Sequence, residues 1–196
     1  AYAAGAFGTL GLGSASIDSA RTQIEQCAGI PFGVNLFCPQ DPLTEPYLAA
    51  ARELAQAENQ SLPEPDYAFG YEEKLELALR GGARVVWSMF GTFNAGHLEQ
   101  IHAAGAEAWT TVTTPTEAIA AARGGVDVLC VQGPAAGGHR GTWELFATPD
   151  SRGLEELVAD VRAASPELPL IAAGGLRTAA DVANAMSWSG VAACSC

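Results

Sequence analysis

Basic residues are scarce in this sequence. Ten Lys and Arg stand against 22 Asp and Glu, leaving a formal net charge of -12. Such a surface repels phosphate backbones and anionic bilayers, which argues against nucleic acid or a membrane as partner. Long apolar runs are missing too, since none approaches the ~18 residues needed to cross a bilayer. The opening Ala1-Tyr2-Ala3-Ala4-Gly5 has no initiator methionine and no positively charged leader segment. Cysteine is sparse and unpatterned. Cys27, Cys38, Cys130, Cys194 and Cys196 are odd in number and show no Cys-x-x-Cys spacing, so no metal site is expected. Cys194 and Cys196 alternate as on one strand face and read as buried free thiols. A reducing cytoplasm suits such thiols.

What is present is a core. The 196 residues are 48% hydrophobic, enough to bury one sizeable interior in a single domain. Short apolar runs predict strands at Phe7–Leu12, Pro31–Phe37, Arg84–Phe90, Ala106–Thr113, Val126–Val131 and Pro169–Ala173, and one starting at Val191. Helices are expected from Ser16 through Cys27 and over Tyr47–Asn59, Asp66–Leu79, Asn94–Ala104, Thr116–Arg123, Leu154–Ala163 and Ala179–Ser187. The proline-rich stretch at about 38–82 reads as a helical elaboration.

Strand and helix in alternation imply a parallel sheet with right-handed crossovers. A doubly wound open sheet and a (β/α)₈ barrel both satisfy that pattern. Polar or glycine-rich ends recur after several strands, at Asn35, Phe90-Gly91, Thr113-Thr114, Gln132-Gly133 and Gly174-Gly175. An open sheet gathers its site at one switch point, whereas a barrel gathers it from many strand ends, so the α/β TIM barrel is preferred. About seven strands are visible, and a whole barrel takes ~250 residues. The barrel is therefore expected to be incomplete.

The chemistry concentrates in Val126–Trp143. A buried strand breaks there into Gln132-Gly133-Pro134, and Gly137, Gly138 and Gly141 then surround His139. Glycines of this density let backbone approach a flat partner, although taken alone they also suit an ordinary turn. Gly174-Gly175 offers free amides that hold a phosphate without a lysine. Together these features suit flavin mononucleotide (FMN), its ring over the barrel mouth with the Gln132 and Asn35 amides at its edge. His139 would stand on the substrate side, where a neutral imidazole can take a proton from a carbon acid. His97 and His102 lie five apart on a helix and share no face, so surface or packing roles are expected. Arg140 reads as a solvated turn residue, and Trp87, Trp109, Trp143 and Trp188 as core.

The string Gln132-Gly-Pro-Ala-Ala-Gly-Gly-His-Arg-Gly141 resembles the signature loop of the nitronate monooxygenases, once called 2-nitropropane dioxygenases. Ala3-Ala-Gly-Ala-Phe-Gly8 is similar to that family's Asn-Ala-Gly-Gly-Leu-Gly turn, Pro31-Phe-Gly-Val-Asn-Leu36 to its third strand and Pro169-Leu-Ile-Ala-Ala-Gly-Gly175 to its seventh. The loop alone is shared with FMN-dependent enoyl-acyl-carrier-protein reductases. The resemblance implies a (β/α)₈ barrel, here about strands 2–7 plus the start of strand 8, forming one FMN-binding domain over residues 1–196. It implies oxidation of alkyl nitronates, or of nitroalkanes, by O₂ to carbonyl compounds and nitrite, with a detoxifying role. His139 is then the general base, and Asn35, Gln132, Gly137, Gly138, Gly174 and Gly175 contact the FMN. Ala135 replaces the acidic residue common in the loop, and Ala3 replaces the Asn of the first turn. The family's first strand and its Gln-Leu-Gly-Thr segment find no counterpart, so a fragment of a longer enzyme is expected. The alternatives are an FMN-dependent NAD(P)H reductase of enoyl thioesters or quinones, and an inactive flavin-binding fragment.

Overall fold

The computed structural model of the chain describes Ala3 and residues 5–196; Ala4 of the opening turn lies outside the described residues, with Ala1 and Tyr2. Seven strands form one parallel sheet: β1 (Gly8–Gly11), β2 (Phe32–Phe37), β3 (Val85–Met89), β4 (Glu107–Val112), β5 (Val128–Gln132), β6 (Leu170–Ala173) and β7 (Val191–Ser195). Seven helices connect them: α1 (Ile17–Glu25), α2 (Glu45–Ala57), α3 (Tyr71–Arg80), α4 (Ala95–Ala103), α5 (Pro115–Gly124), α6 (Leu154–Ala164) and α7 (Ala179–Ala185).

The strands lie side by side in chain order, β1 through β7, every pair parallel. No crossover reverses direction, which rules out a doubly wound sheet. Curvature follows from what the inner face shares. A flat sheet would hold its outer strands about 29 Å apart, six steps of ~4.8 Å. Instead Thr9 of β1 and Ser195 of β7 line one central cavity of about 250 Å³, together with Asn35, Trp87, Thr111, Cys130, Gln132 and Ala173 from the five strands between them. The sheet is an incomplete TIM barrel. Among the described residues β1 and β7 are its two edges, and both border a cavity of about 640 Å³.

Side-chain alternation divides the interior in two. Leu10, Val34, Leu36, Val86, Leu129 and Leu170 point outward to the helices, where Leu75, Ile101 and Leu157 meet them. Val128, Cys130 and Ile171 point inward and pack with Trp87 and Trp109 in the barrel lumen. All five residues of β5 are buried, so this strand lies at the heart of the sheet. Asp127, the polar break just before it, accepts the Ala108 N–H at 2.7 Å and lies 2.9 Å from His102 Nε2. His97 Nε2 in turn lies 2.9 Å from Glu72. Both helical histidines therefore serve packing and pairing between elements.

Local signals set most helix starts. Ser16, Asn94 and Thr114 each accept an N–H of the first turn they precede, and Thr178 forms a reciprocal capping box with Asp181. The expected helix from Asp66 begins five residues late. Asp66 Oδ1 accepts the N–H groups of Ala68 and Phe69, both at 3.0 Å, and this side-chain turn competes with the helix until Tyr71. Helix α3 then packs against β2 and α1, whereas α2 has no buried residue. Cys196 is exposed, not buried, because it lies beyond the last residue of β7, an edge strand; Cys194 is half-buried.

Lys74, on α3, is almost wholly buried and donates to the Gly13 carbonyl at 2.9 Å. Burial lowers its pKa, and the bond ties the loop after β1 to the helix layer.

Leu129 is fully buried and Leu54 is 68% exposed. Leu129→Ala is expected to cost about 2–5 kcal/mol of unfolding free energy, read by urea denaturation. Leu54→Ala should stay within ~0.5 kcal/mol.

Candidate active site

The site is built from the loop that follows β5. Gln132 ends that strand, nearly buried, and its side-chain amide turns back on the loop. Oε1 accepts the Gly141 N–H at 2.7 Å, and Nε2 donates to the His139 carbonyl at 3.1 Å. Both ends of the amide are engaged, so Gln132 holds the histidine segment in place while also lining the barrel mouth. A Cβ on Gly141 would come within 2.8 Å of Thr111 Cγ2 and 3.1 Å of Met89 Sδ, so only glycine lets the loop seat on β3 and β4.

The loop's outgoing side is strapped to β4 and α5. Trp143 donates its indole N–H to the Thr111 carbonyl at 2.9 Å and its backbone N–H to Glu117 Oε1 at 3.0 Å. The other oxygen of Glu117 accepts from the Thr113 N–H and from its hydroxyl. This buried carboxylate was not expected from the sequence. Its one visible signal is its place three residues after Thr114, where a capping residue's partner normally sits. Further along, Arg140 Nη2 donates to the Asp150 carbonyl at 3.1 Å, and Arg152 bonds the carboxylates of both Asp150 and Asp160. Hydrogen bonding from Arg152 holds the Asp150 carboxyl at about 2, below its ordinary 3.8.

Three spaces open at the C-terminal ends of the strands, two of them sharing Gln132, Ala173 and Ser195. The central cavity, already described, holds Asn35 and Gln132; Asn35 Nδ2 donates to the Trp87 carbonyl at 3.2 Å. Cys130 lies there as well, and burial alone pushes its thiol far up, which leaves it protonated at neutral pH. Beside it, a cavity of about 430 Å³ is lined by Gly137, Gly174 and Gly175 with Gln132, Arg177 and Ser195. Gly174 and Gly175 both have positive φ, 102° and 80°. A Cβ on either would come within 3.0 Å of Ala136 or 2.8 Å of Ala135. The N–H groups of these two glycines find no backbone acceptor among the described residues. Gly138 lines none of these spaces and serves the turn through its φ of 74°.

His139 faces the third space, about 400 Å³, between the β5 loop and the ends of β2 and β3. Its ring lies 6.0 Å from that of Phe37 and 5.8 Å from that of Phe90, both edge-on. Phe69, Arg140 and Leu145 complete much of the wall. Arg140 is half-buried, with Nε and Nη1 lacking a hydrogen-bond partner, and the Thr142 hydroxyl nearby also lacks one. It is therefore not the solvated turn arginine expected. The aromatic wall carried no motif in the sequence.

The family model for nitronate monooxygenase matches residues 2–194. A nitronate monooxygenase of Paraburkholderia phytofirmans is 30% identical over 97% of this chain and 55% of its own length. One from Pseudomonas aeruginosa is 30% identical over 88% of this chain and 53% of its own. Among solved structures, a nitroalkane oxidase from Streptomyces ansochromogenes superposes with a TM-score of 0.81 and 32% identity, covering 96% of this chain and 57% of that one. FabK from Thermotoga maritima, 21% identical with a TM-score of 0.66, shares the fold. The chain spans about half the length of the curated relatives it matches.

Gln132→Ala should speed amide hydrogen exchange at Gly141 by roughly tenfold, the loss of one buried bond, while Ile101 in α4 exchanges at its former rate. Unchanged exchange at Gly141 would show that the clamp is idle. A depressed carboxyl stabilises only where it is ionised. The anchoring of the loop by Asp150 is therefore complete above pH 3.8 and fades as pH falls toward about 2. Titrating the Asp150 carboxyl carbon by NMR checks this directly, and a midpoint near 3.8 would contradict it.

Proposed function

Because the chain belongs to the nitronate monooxygenase family, we propose that it carries the flavin seat and the catalytic base of an enzyme oxidising alkyl nitronates, and the nitroalkanes that yield them. One observation carries this reading. A single loop, clamped by Gln132, lines the glycine cavity through Gly137 and the aromatic cavity through His139. Cofactor seat and base are thus held in fixed relation.

The residues present fit FMN. A glycine cradle with free N–H groups and one arginine, Arg177, suits a terminal phosphate. The central mouth, with Asn35, Gln132, Trp87 and Met89, suits a flat ring that is apolar on its faces and polar at its edge. Gly137, Gly174 and Gly175 would hold the phosphate end, and Asn35 and Gln132 the ring, while Gly138, outside the cavity, would shape the turn. Bound there, the flavin supplies the electron-accepting chemistry by which a nitronate and O₂ give a carbonyl compound and nitrite.

The chain's own part is proton transfer and orientation. An imidazole nitrogen of His139 takes the proton from the carbon bearing the nitro group. The C–H electron pair becomes the C=N bond, and negative charge settles on the two nitro oxygens. Arg140, on the same wall, places a positive charge near that anion. A substrate that arrives already as the nitronate skips the proton transfer and needs only the orientation.

His139→Ala is therefore expected to lower kcat/KM for neutral nitroalkanes by about 10²–10⁴, and to affect preformed nitronates far less. Equal losses on both would remove His139 from the role of base. Under anaerobic conditions a nitronate should bleach the bound flavin faster than NADH does. The reverse order would favour a nicotinamide-dependent reductase.

A further inference from the structure

Among the described residues, three non-glycine residues have positive φ: Asn59, Phe69 (53°) and Phe90 (65°). Asparagine tolerates that region, but a bulky aromatic there is an outlier. The two phenylalanines lie far apart in sequence, one before α3 and one just after β3, yet both rings pack on the ring of Phe37. The centroids stand 5.7 Å apart for Phe69 and 4.8 Å for Phe90. All three residues are half-buried, and all three line the cavity that His139 faces.

Their backbones are held in that state by specific bonds. Asp66 accepts the Phe69 N–H at 3.0 Å. Gln40 donates its backbone N–H to the Tyr67 carbonyl at 2.8 Å and its side-chain amide to the Phe90 carbonyl at 3.1 Å. One glutamine thus braces both strained turns. Room for the Phe37 ring is made by Gly13, where a Cβ would lie 2.3 Å from it. Strain maintained in this way, at the wall of a site, points to function rather than packing. A packing role would place the rings in the core between sheet and helices, where most of the buried apolar side chains lie.

We propose that Phe37, Phe69 and Phe90 form a subsite for the apolar substituent of the nitro-bearing carbon. The preferred substrate then carries a chain of several carbons or a ring, not merely one or two carbons. A volume of about 400 Å³ falls within the range of small-molecule sites, ~300–1,000 Å³, and far exceeds the needs of nitroethane. Of the polar groups on this wall, His139, Arg140, Thr142 and Glu144 belong to the β5 loop, and the Gln40 amide is engaged by the Phe90 carbonyl, so the anionic head is placed at the loop and the apolar tail at the rings. The assignment rests on the reading of His139 as base. It makes Phe69, in the segment between β2 and β3, a determinant of specificity.

Two measurements separate this subsite from the reaction it serves. In the first, kcat/KM is measured for the series nitroethane to 1-nitrohexane. It should rise roughly fourfold per methylene buried over the first additions. Phe69→Ala should cut the value for 1-nitrohexane at least tenfold more than that for nitroethane, and Phe69→Leu should restore most of the slope. In the second, propanoate to heptanoate, whose carboxylate imitates the planar anion, are titrated calorimetrically into the wild type, His139→Ala and Phe69→Ala. Affinity should rise with chain length in the first two and level off in the third. Turnover of nitro compounds without a length dependence overturns the subsite and leaves the reaction standing. A carboxylate slope abolished by Phe69→Ala, with no nitro compound turned over, supports the subsite and removes the reaction. Flat or absent carboxylate binding in the folded wild type overturns the subsite.

Discussion

The side-chain amide of Gln132 is the constraint on which the site depends. It lies at the end of the most buried strand, and it spends its donor on His139 and its acceptor on Gly141. Without it, the segment between would be a glycine-rich turn free to sample many conformations, since Gly137 and Gly138 have no neighbour within 4 Å of a would-be Cβ. Two hydrogen bonds from a rigid strand therefore do what side-chain packing does elsewhere. They convert a flexible stretch into a fixed support for the imidazole. Glu117 repeats the device at the loop's exit, where its two oxygens join Thr113 of the β4 end to Trp143.

The barrel gives those anchors their precision. Sequential parallel order brings the C-terminal ends of all seven strands to one mouth, so groups distant in sequence meet without any long-range loop. The glycines after β6 nest against Ala135 and Ala136 of the β5 loop, so the cavity of about 430 Å³ is shared by two loops. The crossover helices other than α2 cover the outer face and leave the mouth to the loops.

Much of this was legible in the sequence because period and punctuation are local. The order of strands, the buried character of β5 and the positions of His139, Gly174 and Gly175 follow from short apolar runs and glycine clusters. The Asp66 turn was not legible, because an aspartate before a helix looks the same whether it caps the helix or delays it. Gln132 read as a ligand group, since nothing in its own neighbourhood says that its partners are Gly141 and His139. Phe69 and Phe90 were invisible for a similar reason. Their significance is a backbone angle and a shared cavity, and the cavity exists only once the segment before α3 folds against β2 and β3.

Charge bears on the proposed reaction, because a chain of net charge -12 would there have to accept an anion. Exposed carboxylates more than ~10 Å away are largely screened at ordinary ionic strength, so the near field decides. Within the β5 loop, Arg152 is neutralised by Asp150 and Asp160. Arg140 touches Asp150 only at its backbone carbonyl, and two of its nitrogens have no partner. Its charge is therefore left largely uncompensated by direct pairing, on the wall that also presents His139. Arg152 binds the Asp150 and Asp160 carboxylates, so Arg140 keeps its charge on a wall that it shares with His139 and the Glu144 carboxylate.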